Sequence, residues 1–572
     1  MVAFMRFIRN PRTIPKYTLC SLLVSCGGTL FGLDTGTIGP ITTMPSFLTT
    51  FSPSHTGHLS STLHGLIVSS ILIPAAIASF FTGHLADWLG RVRSVALGGL
   101  VFGIGAGMEA ASGGWATGSG GDGAGGGGLA MLFVGRIVKG VGEGLYLSTL
   151  VVYITEISPP HHRGTLASLP QLLITFGICA GYFLCYGTVR LSSSASWRLP
   201  FALQAVLALS FAISCLLLLP ESPRWLVLKG KRLGGEEVTR VWEGLGVSGV
   251  EREKAVEEGV VEVAAGAGVE GSVAGSTAGS KIKGKQNEIF KIFGKKVWKR
   301  TLLGVFLMSM QQLSGIDGVL YYAPLLFSAA GLSSSTSSFL ASGISGLLIF
   351  LVTIPAFLLC DRWGRRTSTI FGALGITACM FVIGALYASD SVHGDRGAGR
   401  WVVVVLIYVF CVVFSVSWAV GIKVYASEIQ SPETRAAGSS VAYGANWITN
   451  FLIAFTTPIF LAHSSSGVYF LFGTATLLTA LVCAFFMPET RGKSLEDIDG
   501  AFERSASALS AATGLRVRMG VSGAGRLVRR FGGGGRRAGM GTVGAVGEAD
   551  GGGRGGREEF DVELLGMGTR VA

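Results

Sequence analysis

Asp34 lies inside an apolar run, Thr18 to Ile38, in the string Phe31-Gly32-Leu33-Asp34-Thr35-Gly36. Arg136 lies inside another, Leu129 to Val152, in Gly135-Arg136-Ile137-Val138-Lys139-Gly140. At the depth of a bilayer, a carboxylate or a guanidinium costs about 2.5–3.5 kcal/mol on insertion scales. Such residues persist where they face a partner or a water-filled path. The chemistry this pair supports is the taking up and release of a proton. Ionised, Asp34 holds Arg136; protonated, it lets go. Burial and a nearby guanidinium act in opposite senses on an acid's proton affinity, so the group can exchange its proton as its surroundings open and close. A purely structural ion pair is the competing reading. Arg136, Lys139 and Glu143 are spaced three and four apart and share one helix face. Glu143 is either a second proton-carrying group or the counter-charge of Lys139.

The elements that must hold these residues are membrane helices. The chain has 572 residues, 49% hydrophobic and only 14% charged, with a mean hydropathy of +0.55. Runs of about 20 apolar residues mark spanning helices. Twelve occur, near 18–38, 61–82, 94–111, 129–152, 166–187, 200–220, 301–327, 337–360, 368–388, 401–424, 437–461 and 467–487. The expected organisation is an N-terminal segment, 1–17, a six-helix bundle, 18–220, a central loop, 221–298, a second six-helix bundle, 299–487, and a tail, 488–572. The fold class is therefore all-α, with twelve transmembrane helices in two bundles.

The net charge of +12 does not point to nucleic acid, because it is distributed as the positive-inside rule requires. With both termini cytoplasmic, the outer loops hold only Arg190, Arg198, Arg396 and Arg400, whereas Arg6, Arg9, Arg12, Lys16, Arg91, Arg93, Arg163, Arg362, Arg365, Arg366 and Arg435 fall inside. All nine cysteines lie in or at the edge of predicted spans, so no disulfide framework is implied. The first run reads as a retained helix rather than a cleaved leader. The loop residues Gly249 to Gln286 cannot bury enough apolar surface to fold alone, while Gly234 to Glu243 and Glu288 to Lys299 suit short amphipathic helices. Ser112 to Gly128 reads as a flexible insert, and the Gly/Arg-rich tail as largely disordered. Its stretch Arg526 to Arg537 either meets acidic headgroups or is simply solvated. No nucleotide-binding loop, metal cluster or nucleophile–base arrangement is visible, so neither catalysis nor a cofactor is expected. Gly140, Gly142 and Gly144 suit close helix packing, and His64 and His84 read as packed or loop histidines.

The two halves repeat a motif after the second span of each: Asp87-Trp88-Leu89-Gly90-Arg91 and Asp361-Arg362-Trp363-Gly364-Arg365-Arg366. Glycine makes a tight turn, and Asp and Arg can pair with charges on neighbouring helix ends. A motif in register in both halves indicates an internal repeat, as alternating-access carriers have. Further motifs are Tyr-Ile-Thr-Glu-Ile-Ser-Pro-Pro-His-His-Arg-Gly around Glu156 and Arg163, Pro220-Glu221-Ser222-Pro223-Arg224-Trp225-Leu226, Gln311-Gln312-Leu313-Ser314-Gly315, Glu428 with Arg435, and Pro488-Glu489-Thr490-Arg491-Gly492.

From about Leu22 to Asp499 these residues resemble the sugar porter family of the major facilitator superfamily, and a fungal-type sugar/proton symporter in texture. The resemblance implies an inner charge network of Asp87, Arg91, Glu156, Arg163 and Glu221 in the first half, and of Asp361, Arg365, Arg366, Glu428, Arg435 and Glu489 in the second. Breaking it would shift conformational populations rather than remove the binding site. It implies proton coupling through Asp34, with Arg136 and Glu143 beside it. Gln171, Gln311, Gln312 and Asn446 match the family's sugar-binding amides, each able to donate and accept. Tyr321 and Tyr322 match an aromatic pair at the outer gate. Interhelical hydrogen bonding competes at each amide.

Four departures bear on the substrate. Asp317 stands where the family has Asn, and Lys423 where it has a cavity Trp, with Ala419-Val420 replacing Gly-Pro. Ile349 replaces an Asn of the eighth span, and Glu143 a small apolar residue. Asp317 and Lys423 either form a buried ion pair or leave Lys423 to bind an acidic solute. The implied function is proton-coupled import of a sugar or related small polar solute by a monomeric, multi-pass plasma-membrane protein, with solute, protons and lipid as its partners. The alternatives are a proton-driven exporter of a metabolite, an importer of carboxylates or sugar acids, and a non-transporting nutrient sensor.

Overall fold

The computed structural model describes residues 15–52, 59–113, 124–229, 236–247, 294, 297–332, 335–359, 364–392, 397–430 and 435–490. Asp361 and the tail beyond 490 lie outside the described residues, as does most of the central loop. All regular structure among the described residues is helical.

In the first half, α1 (Lys16–Thr43) leads through a short α2 (Pro45–Phe51) to a second span made of α3 (Ser61–Ser69) and α4 (Leu72–Leu89). The third and fourth spans are α5 (Arg91–Ala111) and α6 (Ala124–Ile157). The fifth combines α7 (Pro160–Ala167) with α8 (Leu169–Thr188), and the sixth is α9 (Ala195–Leu218). Two short helices follow, α10 (Pro223–Leu228) and α11 (Glu236–Leu245). The second half opens with α12 (Trp298–Leu313), α13 (Ile316–Tyr321) and α14 (Ala323–Ala329), then α15 (Ser335–Leu359) and α16 (Arg365–Ala388). It closes with α17 (Gly399–Ser417), α18 (Gly421–Glu428), α19 (Arg435–His463) and α20 (Gly467–Phe486).

Among the described residues, eleven of the resulting stretches are long and apolar enough to cross a bilayer. The remaining span, expected as one run over 301–327, is instead broken into α12, α13 and α14. Gly315 causes the first break: its φ is +85°, a conformation that costs glycine alone nothing. A Cβ there would also stand 2.2 Å from the Phe472 ring. The second break falls at Tyr322, just before Pro324, which has no N–H to continue a helix. Span two breaks at Ser70 for a similar reason, because Pro74 cannot donate to the Ser70 carbonyl. Span ten breaks at Trp418–Val420 without a proline.

Contacts between helices follow the repeat. Within the first half, α1 packs on α8, α5 on α6, and α9 on α5; within the second, α12 packs on α19, α16 on α17, and α20 on α16. Between the halves, α3 and α4 run along α19 while α8 runs along α15, the symmetric counterpart, and α13 and α14 sit on α1. The surface turned away from these seams is apolar: Leu217 is 76% exposed and Phe371 70%, as lipid contact requires.

Small residues set how closely the first-half helices approach. Gly28, Gly32 and Gly36 recur every four residues on α1, and a Cβ at Gly32 would lie 2.0 Å from the Ile174 carbonyl of α8. On α6, Gly142 faces the backbone of α5, while Gly140 and Gly144 face α4, with Cβ clearances of 2.2–2.3 Å. Their expected packing role is what the geometry displays. The amphipathic helix expected near 234–243 is α11, whose Val238, Trp242 and Leu245 are buried with Tyr17 and Leu166 at the base of the first bundle.

Candidate functional site

The tight α5–α6 seam brings a group of charges together in the buried interior. Lys139 lies over Gly105, and Glu109 over Gly135. Arg136, Lys139, Glu109 and Glu143 are each 0% exposed, and Asp34 is 3% exposed. The Lys139 ammonium donates to Asp34 Oδ1 at 2.6 Å, Glu109 Oε2 at 2.7 Å and Gln204 Oε1 at 2.5 Å. All three donors are thus used. Gln204 in turn donates to Thr37 Oγ1 at 2.7 Å, so one lysine ties α6 to α1, α5 and α9. The rings of Phe102 and Phe201 flank the ammonium at 5.1 and 5.2 Å.

The expected Asp34–Arg136 ion pair is present at 3.7 Å, longer than a hydrogen bond. Arg136 instead donates to the Val68 carbonyl at 2.9 Å and to Ser70 Oγ at 3.2 Å. These are the groups exposed where span two breaks, so the guanidinium caps that break. Glu143 makes no hydrogen bond to Lys139, since neither of its oxygens has a partner among the described residues, although the two sit in each other's field. Glu109, which sequence reasoning missed, is the second acid of the cluster. Its only sequence signal was a carboxylate near the end of an apolar run.

The polar groups of the second half gather at the breaks in spans seven and ten. Gln311 donates to the Trp418 carbonyl at 2.9 Å, capping span ten much as Arg136 caps span two. Gln312 donates to Asn446 Oδ1 at 3.2 Å, and Asn446 donates to the Met308 carbonyl at 2.8 Å. These three expected sugar-binding amides are therefore together, with Gln312 Oε1 left buried without a hydrogen-bond partner among the described residues. Trp418 is fully buried, its indole donating to the Thr369 carbonyl at 3.0 Å, so it does not substitute for the cavity Trp whose position Lys423 occupies. Ile349 is buried in α15.

Lys423 reaches across between the halves: its ammonium donates to Gln171 Oε1, on α8, at 2.9 Å. No contact within 4.0 Å joins it to Asp317, so the direct ion pair expected as one alternative is not formed, although the two sit in each other's field. The geometric reason is that Lys423 follows the break in span ten and is turned toward span five. Further along the interface, Tyr182 donates to the Leu320 carbonyl at 2.5 Å and Tyr322 to the Ala454 carbonyl at 2.6 Å. His64 packs edge-on to Tyr322 with centroids 5.1 Å apart and shares a hydrogen bond with Thr42 at 2.8 Å. Tyr321 meets α1 backbone to backbone at Gly39. Tyr321 and Tyr322 are thus buried in contact between the two halves.

At the opposite end, each half builds the same charged corner. Arg91 holds Glu156 at 3.1 Å and Asp87 at 2.8 Å; Arg365 holds Glu428 at 3.4 Å. Tyr153 donates to the Pro220 carbonyl at 2.8 Å, and Tyr425 to the Pro488 carbonyl at 3.2 Å. Glu221 accepts from Val92 N at 3.4 Å, and Glu489 from Arg365 N at 2.8 Å and Arg366 N at 3.1 Å. Both acids therefore sit on a helix N-terminus, where amides and macrodipole favour negative charge. Burial pushes the Glu221 carboxyl up from its ordinary range, and the α5 amides pull it back. Arg366 also donates to the Ala484 carbonyl at 2.6 Å, and Arg163 is half-buried on α7. The side chain of Arg435 lies outside the described residues, as does Asp361. A Tyr-x-x-Glu repeat, Tyr153 to Glu156 and Tyr425 to Glu428, marks both corners in the sequence.

Two pseudo-symmetric six-helix halves around a polar centre, with broken helices in it, define a membrane carrier of the major facilitator type. A model of the family described as "Sugar (and other) transporter" matches residues 20–502, and the chain belongs to that family. The low-affinity glucose transporter HXT4 of Saccharomyces cerevisiae is 33% identical over 501 residues, 85% of this chain and 81% of the relative. Hexose transporter 2 of Kluyveromyces lactis is 33% identical over 515 residues, 86% of this chain and 84% of the relative. Among solved structures, the proton:xylose symporter XylE bound to 6-bromo-6-deoxy-D-glucose is similar with a TM-score of 0.68 and 28% identity, over 85% of this chain and 99% of that one. The inward-open conformation of XylE from E. coli gives 0.65 and 27%, over 84% and 98%.

Proposed function

We propose that this sugar porter imports a sugar or a closely related small polar solute together with protons, by alternating exposure of a site between its two halves. The observation that carries the reading is the buried cluster of Asp34, Glu109, Arg136 and Lys139. Ionisable groups at this depth are costly, and here they link span four to spans one, three and six. The named relatives, glucose and hexose transporters and a proton:xylose symporter, support the solute class and the coupling. Gln171, Gln311, Gln312, Asn446, Asp317 and Lys423 form the solute site in this reading, with Tyr321 and Tyr322 as the outer gate. The Arg91–Glu156 and Arg365–Glu428 corners, with Arg163, Arg366, Glu221 and Glu489, hold the inner side. The excess of Lys and Arg on one side supports cytoplasmic termini, and the family supports the plasma membrane. The chain acts as a monomer and does no catalysis.

A second reading, import of a sugar acid or another carboxylate, is favoured by one observation: among the described residues, the Lys423 ammonium is hydrogen-bonded to a neutral amide rather than to a carboxylate. Uptake of labelled glucose, xylose, galacturonate and quinate by transporter-deficient yeast, at acidic and at mildly alkaline pH, separates the two. Acid-stimulated uptake of a neutral sugar, lost in Asp34→Asn, is the expected result. Uptake of the acids alone would replace it with the second reading. No uptake by a surface-expressed protein, with proton-driven efflux from loaded cells, would replace import with export.

A further inference from the structure

Span four carries one carboxyl that no ion pair among the described residues uses. Glu143 is 0% exposed, and neither oxygen meets a donor. The groups that face it are Asp34 from α1, Glu109 from α5, and Arg136, Lys139 and Tyr146 on its own helix. Tyr321 of α13 lies within their field from across the interface. Span two packs against the neighbouring glycines of α6 through apolar residues, Ile71 at Gly140 and Ala75 and Ala78 at Gly144. The Tyr146 hydroxyl is likewise buried without a partner.

Charge balance then assigns a proton. Arg136 and Lys139 supply two positive charges, and Asp34, Glu109 and Glu143 supply three carboxyls. With all of them ionised, the buried cluster would carry one uncompensated negative charge, which is strongly disfavoured. With one proton bound it is neutral. Geometry says where that proton sits. Asp34 and Glu109 each receive the Lys139 ammonium, at 2.6 and 2.7 Å, and lie 3.7 and 3.5 Å from Arg136. Glu143 receives no hydrogen bond, so ionisation costs most there.

We propose that Glu143 carries the resident proton of this cluster and is the group whose proton moves during transport, while Asp34 and Glu109 are held ionised by the two cations. This rests on the proton-coupled reading above. When water reaches the cluster on one side, Glu143 gives its proton to water, and the cluster gains one negative charge. Lys139, one turn away on the same face of α6, must then be shared with Glu143. Its hold on Asp34 and Glu109 weakens, and so does the tie between span four and spans one and three. Taking a proton from the other side restores that tie. One proton leaves and one enters Glu143 in each cycle.

The test is infrared spectroscopy of the purified full-length protein at neutral pH, reading the C=O stretch of protonated carboxyls. In the wild type minus Glu143→Asp difference spectrum, a protonated-carboxyl band should appear. It should move when glutamate, but not aspartate, carries heavy carbon in its side-chain carboxyl. The wild type minus Glu109→Asp difference should show no such glutamate band. No band, one that follows the aspartate label, or one that belongs to Glu109→Asp overturns the proton's assignment. In vesicles, solute-driven proton entry should be lost in Glu143→Gln, with the variant's melting transition confirming that it is folded. Proton entry that persists in Glu143→Gln overturns the coupling role. Wild-type vesicles without proton entry for any solute would instead sink the proton-coupled reading, and the spectrum would still decide where the proton resides.

Discussion

Lys139 is the residue on which the first half depends most. It offers the shortest contacts to Asp34, Glu109 and Gln204, and removing it strands two buried carboxylates. Breaking a buried ion pair by deleting one partner costs about 3–5 kcal/mol. Lys139→Met should therefore lower stability by at least that much in denaturant titration in detergent. Glu143→Leu removes a group that makes no hydrogen bond and should change stability by less than about 1 kcal/mol. At the other end of the site, Lys423 is bonded to Gln171 rather than to Asp317. A double-mutant cycle of Lys423→Met with Gln171→Leu should give a coupling within about 0.5–3 kcal/mol. It should exceed the coupling of Lys423→Met with Asp317→Asn. The reverse order would return Asp317 as the partner of Lys423.

At the scale of elements, two devices position these residues: glycine seams and broken spans. A Cβ at Gly32 would stand 2.0 Å from the Ile174 carbonyl, backbone that cannot swing aside. Gly32→Val should separate span one from span five and abolish the folded, monodisperse protein. At Gly187 a Cβ would meet nothing within 4 Å, so Gly187→Ala should be neutral or stabilising by up to about 1 kcal/mol. Size-exclusion profiles and melting temperatures of the two variants provide the comparison. The breaks explain why amides and a guanidinium sit where they do. Arg136 on the Val68 carbonyl and Gln311 on the Trp418 carbonyl satisfy backbone groups that lipid could not.

Across the whole molecule, the same corner is built twice. Tyr-x-x-Glu, Gly-Arg and Pro-Glu converge at Tyr153, Glu156, Arg91 and Glu221, and again at Tyr425, Glu428, Arg365 and Glu489. The second copy holds its helix N-terminus more tightly, at 2.8 and 3.1 Å against 3.4 Å. Loss of a charge-assisted bond costs about 1.5–3 kcal/mol. Glu489→Ala should therefore shift the balance between inward and outward exposure more than Glu221→Ala. Labelling of an introduced cysteine at each mouth reads that balance, and solute affinity of the competent state should change little.

Some of this was fixed by local chemistry and is readable along the chain. Apolar run length gives the helices, the repeated Asp-x-x-Gly-Arg gives the two halves, and Asp34 and Arg136 announce a buried charge because nothing else excuses them in such runs. The pairing of those charges is not a local property. Lys139 and Glu109 are thirty residues apart, and they meet only because glycines let α5 and α6 approach within backbone contact. Gln204 joins them from α9. In the same way, the sequence offers Asp317 and Lys423 as opposite charges. The break in span ten turns the lysine toward Gln171 on the other half instead. Composition and periodicity decide which helices form and which residues they carry. Packing decides which of those residues touch, because hydrogen bonds reach only about 3 Å.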